Sequence, residues 1–416
     1  MTTVQPEATG ESTGVDHHSP YFREHNYEIY EDLRGKCPVA HSDAWGGFWM
    51  FLDHQDVYNA EQDTDLYSSA MEKGIPQAGN PDPLIPIDTD PPYLQQYRKI
   101  VLPWFSPAAA KRLESTFRRI ATEQIDEFIE TGEADIVRQL TTPLPARWIL
   151  QMLGFDDGRW ADWVAWVHAT VHDRSNAPEK AMDAVMNVYT NITAEIALRR
   201  TEGYRDDLLS TIMQGEVDGA PIRDELVIGF AFLMLLGGMD TTSGLTGNAL
   251  VRLVEQPELH RRLIDEPDIL PKATEEFLRH DTPTQGLARI MTRDAVVQGQ
   301  QLHAGDRLLL MYAAANRDPK VFADPDKIDF DRTGNRHLAF GAGGHRCLGS
   351  NHARAMFQVM ISEVLTRLPD YTIDGDFERF PDAGDVYAVR SLPIRFTPGP
   401  RSAPTPPPAA PDGAAG

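Results

Sequence analysis

Hydrophobic and polar positions follow a helical period through the middle of the chain. Between about 106 and 280, apolar residues recur every three or four positions, which predicts amphipathic helices. The segments 106–132, 142–154 and 177–203 each carry proline at the second position and close on glycine, as helix boundaries often do. The longest predicted helix, 222–256, spans about 50 Å at about 1.5 Å per residue. Its centre is apolar on all sides, so we expect it to be buried.

Short strands are predicted on either side of this helical region. The run GGFWMFLD (46–53) is typical of a buried strand and lies between predicted helices at 26–36 and 54–63. After residue 287, short apolar runs alternate with turn sequences. The segment 72–92 holds six prolines and two glycines, which predicts a long loop of the kind that is often functional. The predicted fold class is therefore mainly α with small β-sheets (α+β).

One domain with two disordered ends is the predicted organisation. Residues 1–18 are polar and irregular, and residues 401–416 are rich in proline and alanine, so both are predicted to be disordered. No internal repeat or long linker interrupts residues 19–400, which are predicted to form a single domain.

Charge and cysteine content narrow the partners and the compartment. With 39 Lys and Arg against 62 Asp and Glu, the net charge is −23 and is spread along the chain, which argues against nucleic acid as a partner. The longest apolar run, 226–239, falls short of the about 20 residues that a bilayer requires. The N-terminus has no signal-peptide pattern. With only two cysteines, Cys37 and Cys347, we expect a cytoplasmic protein without membrane contact, in which Cys347 is a free thiol.

The glycine-rich stretch HLAFGAGGHRCLG (337–349) carries the most specific chemical pattern. Phe340, Gly343, Cys347 and Gly349 fit F-x-x-G-x-x-x-C-x-G, a match expected by chance in roughly one chain of this composition in two thousand. Other interpretations are a phosphate-binding loop, a buried structural cysteine, or a zinc site. The candidate zinc ligands are His337, His345, Cys347 and His352.

This stretch resembles the haem-binding loop of the cytochrome P450 monooxygenases. The resemblance implies haem b with Cys347 as the axial ligand of its iron, and Phe340, Gly341 and Gly349 close to the cofactor. It also implies one catalytic domain over 19–400, triangular and helical, with a long central helix and a β-rich side. A predicted helix starts just after Cys347, and the positive end of its dipole would favour a thiolate.

The centre of the longest helix carries a second pattern, LLGGMDTTSG (235–244). A glycine pair is explained either by a packing notch or by a local opening of the helix that admits dioxygen and water. Gly237, Gly238, Asp240 and Thr241 match the family's oxygen-activation motif. The resemblance implies that Thr241 hydrogen-bonds dioxygen and that Asp240 connects it to a proton supply, as catalytic residues.

Two further matches concern structure and cofactor binding. Glu276 and Arg279 match the family's E-x-x-R, whose implied role is to brace the haem loop through the segment 321–332. The same spacing recurs elsewhere, so only the position in the chain selects this pair. The resemblance implies that the haem propionates contact Arg98, Arg289 and His345. Leu94 stands where many members of the family have histidine, so the family's further contact is missing there.

The resemblance implies a monooxygenase that inserts one oxygen atom from O2 into an apolar small molecule. Ferredoxin and ferredoxin reductase would supply electrons, because no flavin or iron–sulfur domain is expected in the chain, and we expect a monomer. Basic residues for docking are Lys99, Lys111, Arg112, Arg346 and Arg354. The implied substrate pocket comprises Leu84, Ile85, Leu233, Leu236, Gly237, Leu287 and Val386, with 284–287 and Asp385 beside it. Asp82 stands where the camphor-hydroxylase branch has tyrosine, which disfavours camphor.

Three other functions remain open from the sequence. A family variant could run on hydrogen peroxide, although the paired Asp240 and Thr241 favour dioxygen. A haem protein without catalytic activity and a zinc-binding structural protein are the other two.

Overall fold

The computed structural model describes residues 12–402 and confirms the predicted fold class, a mainly helical protein with small sheets. The helices are α1 Pro20–Lys36, α2 His54–Gln62, α3 Tyr93–Val101, α4 Pro107–Phe128, α5 Pro143–Leu153, α6 Trp160–His172, α7 Pro178–Glu202, α8 Leu208–Met213, α9 Asp224–Glu255, α10 Pro257–Asp265, α11 Leu270–His280, α12 Tyr312–Ala315 and α13 Ser350–Arg367.

Fourteen short strands are found in the described residues, in five small sheets. They are β1 Val39–Ser42, β2 Phe48–Phe51, β3 Tyr67–Ser68, β4 Glu133–Asp135, β5 Glu216–Val217, β6 Ala220–Pro221, β7 Leu287–Met291, β8 Ala295–Val297, β9 Gln300–Leu302, β10 Arg307–Leu310, β11 Thr372–Ile373, β12 Glu378–Arg379, β13 Val389–Ser391 and β14 Pro393–Arg395.

The largest sheet joins the two strand-rich regions of the chain. Its order is β1-β2-β10-β7-β3, and only the β2–β10 pair is parallel. A second sheet has the order β11-β14-β4, and the other three are two-stranded pairs. Most of the helices lie between β2 and β10 in the sequence, so this sheet brings the two ends of the helical region together.

Helix boundaries follow the residues that predicted them. The Ser106 hydroxyl accepts a hydrogen bond from the Ala109 N–H (3.2 Å) and caps α4, with proline at the first helical position. Helix α5 ends at Gly154, whose φ of 71° is left-handed and suits glycine. The first feature begins a helix and the second ends one, each at the boundary that the sequence predicted.

The long helix α9 runs without a break through the core, 32 residues against the predicted 222–256. It is the one helix of the described residues that is long and apolar enough to span a bilayer, and most of it is buried inside the protein. Its centre packs on α5 and α6, which explains an apolar surface all round.

The predicted disorder of residues 1–18 does not extend to residues 12–18. His17 and His18 are buried there, and His18 Nδ1 lies 2.7 Å from Asp382 Oδ1. This partner is distant in sequence, so the polar composition of the segment gave no sign of it. Residues 1–11 and 403–416 lie outside the described residues.

Candidate active site

The loop before α13 brings the cysteine to the wall of a large cavity. The Cys347 N–H donates to the Phe340 carbonyl (2.8 Å), which closes the loop on itself. Gly343 has φ of 61°, and a side chain there would lie 2.4 Å from the Glu61 carbonyl, so only glycine fits. Gly341 is left-handed as well, with φ of 62°. The result is a tight loop whose thiol faces the cavity.

The surroundings of the thiol have opposing effects on its pKa. Burial among protein atoms raises the pKa of Cys347, and this outweighs the Gly349 N–H and the charge of Arg98, which lower it. The predicted support from glycines and a following helix is therefore present through Gly349, the residue before α13. A bound metal ion would favour the thiolate form further.

The cavity has a volume of about 350 Å³ and extends from Cys347 to α9 and the loop 72–92. Predicted pocket residues that line it are Leu84, Leu233, Leu236, Gly237, Leu287, Val386, Thr284 and Asp385. Phe340, Gly341 and Gly349 line the part beside the cysteine.

Ile85, also predicted for the pocket, is not among the cavity-lining residues described, so its place there stays a prediction. Ile85 and Leu84 both belong to the main hydrophobic core, and Leu84 and Ile87 also line the cavity. The Asp88 N–H donates to the Leu84 carbonyl (2.9 Å), which closes a helical turn. Positions three apart share a face of such a turn, which explains why residues 84 and 87 both face the cavity.

The three predicted propionate partners line the same cavity, together with one further basic residue. Arg98, Arg289 and His345 are joined by Lys73 from the loop 72–92. The His345 Nε2 atom is buried without a hydrogen-bond partner among the described residues, and burial next to Arg289 lowers the pKa of His345 to about 3. Leu94, at the position expected for histidine, is buried.

Lys73 and Glu61 are the residues here that sequence reasoning missed. The Lys73 Nζ atom lies 3.3 Å from Asp88 Oδ1, and burial lowers the pKa of Lys73 to about 8. Glu61 Oε1 accepts from Arg289 Nη2 (2.9 Å) and from the Tyr312 hydroxyl, and the carboxylate is fully buried. The sequence did offer two signals of buried charge: a lysine in the proline-rich loop and a glutamate on the apolar side of α2.

On the opposite wall, two adjacent glycines of α9 have different surroundings. A side chain on Gly238 would lie 2.9 Å from Ile149 of α5, so this glycine is a packing notch. A side chain on Gly237 would meet nothing within 4 Å, and Gly237 lines the cavity. The predicted local opening does not break α9; instead the Thr241 hydroxyl donates to the Gly237 carbonyl (3.1 Å) one turn earlier.

Thr241 and Asp240 do not face the same space. Thr241 lines the cavity, whereas Asp240 is 1% exposed and is not among the lining residues described. Asp240 Oδ2 lies 2.9 Å from His172 Nε2, and Oδ1 lies 3.5 Å from His168 Nε2. Both histidines were missed, because nothing in the α6 sequence indicates that it packs against α9.

Glu276 and Arg279 form a buried pair with two hydrogen bonds, 2.8 and 2.9 Å. Arg279 also donates to the carbonyls of Asn316 (3.0 Å) and Lys327 (2.9 Å). Glu276 accepts from Arg332 Nε (3.0 Å). The pair thereby joins α11 to the segment 321–332, which precedes the cysteine loop.

Three comparisons with known proteins agree with this geometry. The family model "Cytochrome P450" matches residues 147–369. The linalool 8-monooxygenase of Pseudomonas putida is 32% identical over 86% of this chain and 93% of its own. The steroid C26-monooxygenase of Mycobacterium tuberculosis strain H37Rv is 35% identical over 89% and 94%. The crystal structure of CYP109E1 from Bacillus megaterium with testosterone superposes with a TM-score of 0.83, at 29% identity, over 91% of this chain and all of that one.

The chain therefore belongs to the cytochrome P450 family. Within that class it is a cytochrome P450 monooxygenase, a haem-iron oxidoreductase that uses O2, a small-molecule substrate and redox partners.

The residues present fit the haem that the family implies. A thiol suits haem iron, and Arg98, Arg289 and Lys73 in the same cavity lining offer hydrogen-bond donors for two propionates. The partnerless His345 Nε2 offers a further polar contact. Among residues 12–402, no group of three or more His, Cys, Asp or Glu side chains has an arrangement that could hold a metal ion, so the zinc hypothesis has no ligand set in this part of the chain.

Proposed function

We propose that this enzyme binds haem b and inserts one oxygen atom from dioxygen into an apolar organic molecule, with electrons from a separate ferredoxin and its reductase. The observation that supports the proposal most strongly is that Cys347, Thr241 and the group of cations line one cavity. We propose further that it acts as a monomer in the cytoplasm, where its two cysteines remain thiols.

The cysteine side of the cavity would hold the cofactor. Cys347 is the proposed axial ligand; when bound, haem supplies the iron at which dioxygen is reduced, and a thiolate ligand favours O–O cleavage. Arg98, Arg289 and His345 are the proposed propionate contacts. Lys73 lines the same cavity and would add one more basic contact, whereas Leu94, at the position of the family's histidine, offers none. Phe340 would exclude water from the sulfur, since it lines the cavity and is covered by Arg354 at 4.6 Å.

The α9 side would supply protons. The Thr241 hydroxyl donates to the Gly237 carbonyl and lines the cavity, where it would present a proton at Oγ1. Asp240 directly precedes Thr241 in α9 and would replace that proton. Glu276 and Arg279 are proposed to hold the cysteine loop in place without touching the substrate.

A terpenoid or steroid that bears a hydrogen-bonding oxygen is the proposed substrate class. The lining is largely apolar, with a polar group formed by Asn80, Arg174 and Asp385. Arg174 and Asp385 form an ion pair, and the Glu72 carboxylate, which also lines the cavity, accepts from Asn80 (2.8 Å), so this polar group suits a hydroxyl or carbonyl better than a carboxylate. The names of two relatives, a linalool and a steroid monooxygenase, agree with this class.

The proposed ferredoxin site is the basic surface beside the cysteine loop. Lys99, Lys111, Arg112 and Arg346 are exposed, whereas Arg354 is bound to Glu275 (2.6 Å) and contributes less. We expect Arg346→Glu to slow reduction by ferredoxin about tenfold at low salt, because rim charges act on association rate. The matched control, Arg261→Glu on exposed α10, should reduce at the wild-type rate. Equal rates for the two variants would exclude this surface.

A two-part experiment tests the function. The reduced protein under carbon monoxide should show the red-shifted Soret band of a thiolate-bound haem. Linalool and testosterone are then screened for a shift of the visible spectrum and for NADH-driven product with ferredoxin and reductase. Product formed only when hydrogen peroxide replaces NADH would indicate a peroxygenase. Haem binding without any product would leave a ligand-binding haem protein.

A further inference from the structure

The acid of α9 is held by two histidines from one face of α6. His168 and His172 are four residues apart, so they project from the same side of the helix. Between them they face both oxygens of Asp240, at 2.9 Å from His172 and 3.5 Å from His168. The carboxylate is thereby turned to α6, and Thr241 beside it lines the cavity.

The second nitrogen of His172 fixes where its mobile proton can lie. Nδ1 is 2.9 Å from the Asp382 backbone carbonyl, which only accepts, so Nδ1 carries a hydrogen. Only Nε2 can gain or lose a proton, and it faces Asp240. The ring also stacks on Phe380, with centroids 3.7 Å apart and planes within 5°. His172 therefore has one orientation and one exchangeable site.

The two histidines differ in their electrostatics. Burial alone disfavours the His172 imidazolium, but the charge and hydrogen bond of Asp240 outweigh it, so the pKa of His172 is raised and that of Asp240 is lowered. Burial lowers the pKa of His168 to about 4, although Asp240 opposes it. His168 is 21% exposed, against 2% for His172. One histidine is thus a buried store of positive charge, and the other is a neutral side chain that reaches solvent.

We propose that His172 holds at Nε2 the proton that Asp240 passes towards Thr241, and that His168 connects this pair with solvent. In the step, the His172 Nε2–H bond breaks and an Asp240 Oδ2–H bond forms. The carboxylic acid then turns and gives the proton to Thr241 Oγ1, as that hydroxyl releases its own proton into the cavity. A water-derived proton then passes through His168 to Asp240 and on to His172, which restores the Nε2–H bond, and no electron moves. His172 acts through Asp240 and is a positioning residue that also carries the proton; this inference rests on the proposed function.

The charges that face this pair come from several elements. Titratable and charged groups near the two histidines are Asp240 on α9, Asp173 after α6, Asp382 with its partner His18, and Arg390 on β13. The nearest of them to His172 is Asp240, so the proton on Nε2 responds first to that carboxylate.

Variants of His172 separate a proton carrier from a structural contact. His172→Gln keeps an N–H donor for Asp240 but cannot transfer a proton, and His172→Asn keeps the donor for the Asp382 carbonyl. In the holoenzyme with ferredoxin, reductase and linalool, or testosterone where linalool gives no spectral shift, both should lower product per NADH about 100-fold. Hydrogen peroxide release and the solvent isotope effect should rise. The control is His260→Gln on α10, which should match the wild type.

A second measurement needs neither substrate nor turnover. By NMR of the haem-loaded ferric enzyme, the His172 Nε2–H should persist as pH rises past about 6.5, the ordinary histidine value. In the Asp240→Asn variant, the His172 Nε2–H signal should disappear at a lower pH than in the wild type. A His172→Gln enzyme with wild-type yield and isotope effect, or an Nε2 without hydrogen near neutral pH, would overturn the proposal. Absence of any thiolate-type spectrum would instead refute the proposed function.

Discussion

The two walls of the cavity are built in different ways. The cysteine side, formed by the loop 337–349 and α13, is nearly continuous in sequence and is closed by its own backbone, as the Cys347 to Phe340 bond shows. The α9 side, formed by the centre of α9 with α6 and the loop 72–92, is assembled from distant segments. His172 meets Asp240 across 68 positions and Arg174 meets Asp385 across 211. A local motif can therefore define the first wall, whereas the second depends on the whole fold.

The largest effect should come from removing the sulfur on the cysteine side. Cys347→Ser should abolish the red-shifted band of the carbon monoxide complex and all monooxygenase activity, because an alcohol does not replace a thiolate as an iron ligand. The control is Cys37→Ser, since Cys37 donates to the Val39 carbonyl (2.9 Å), accepts from Gln300 Nε2 (3.3 Å) and is not among the cavity-lining residues described. A normal spectrum in the Cys347 variant would show that the ligand lies elsewhere.

The Glu276–Arg279 pair behind the cysteine side should affect the stability of the fold more than the reaction. Glu276→Gln removes one partner of a buried ion pair and should lower the free energy of unfolding by about 3–5 kcal/mol. Urea unfolding of the haem-loaded protein measures it. Glu258→Gln, an exposed residue with the same E-x-x-R spacing, should change it by less than about 0.5 kcal/mol. Equal losses in both variants would mean that burial of the pair is unimportant.

On the α9 side, loss of the Thr241 hydroxyl should lower product formation without unfolding the protein. Thr241→Ala should lower product formation on the order of 10²-fold, with NADH oxidation diverted to hydrogen peroxide, because the proton donor is lost. Product and peroxide are quantified together. Thr246→Ala removes a hydroxyl that makes the same one-turn bond, to the Thr242 carbonyl (2.8 Å), but is buried away from the cavity. Its product yield per NADH should stay at the wild-type value.

The smallest effect should separate the adjacent glycines of α9. Gly238→Ala forces a methyl group against Ile149 and should cost about 1–3 kcal/mol of stability. Gly237→Ala should leave stability unchanged or raise it by up to about 1 kcal/mol, since alanine favours helices. Its effect should appear as a changed spectral response to linalool and testosterone. Thermal unfolding that ranks the two variants in the opposite order would contradict this assignment.

The fold class, the long helix and the position of the cysteine loop could be predicted because each depends on local pattern. Helical period and N-terminal prolines defined α4, α5, α7 and α9 to within a few residues. The partners of the site could not be predicted in the same way. Glu61, Lys73 and the α6 histidines lie far along the chain from the residues they contact, and a single sequence holds no record of such pairing.

Ile85 shows a finer limit of sequence reasoning. The family resemblance predicts that the loop 72–92 borders the pocket. The geometry of one turn, however, determines which of the neighbouring residues Leu84 and Ile85 faces the cavity. Likewise, the sequence left the glycine pair open between two explanations, and the structure assigns the packing notch to one glycine and the open wall to the other.

The unbroken course of α9 restricts how this enzyme can adapt to new compounds. The same helix fills the core and forms a wall of the reaction chamber, so most changes on it carry a stability cost. Leu233 and Leu236, which are only partly enclosed, are the tolerant positions on it. Divergence in selectivity should accumulate instead at the cavity-lining positions of the loop 72–92 and around 283–287 and 385–386, which border the chamber outside α9.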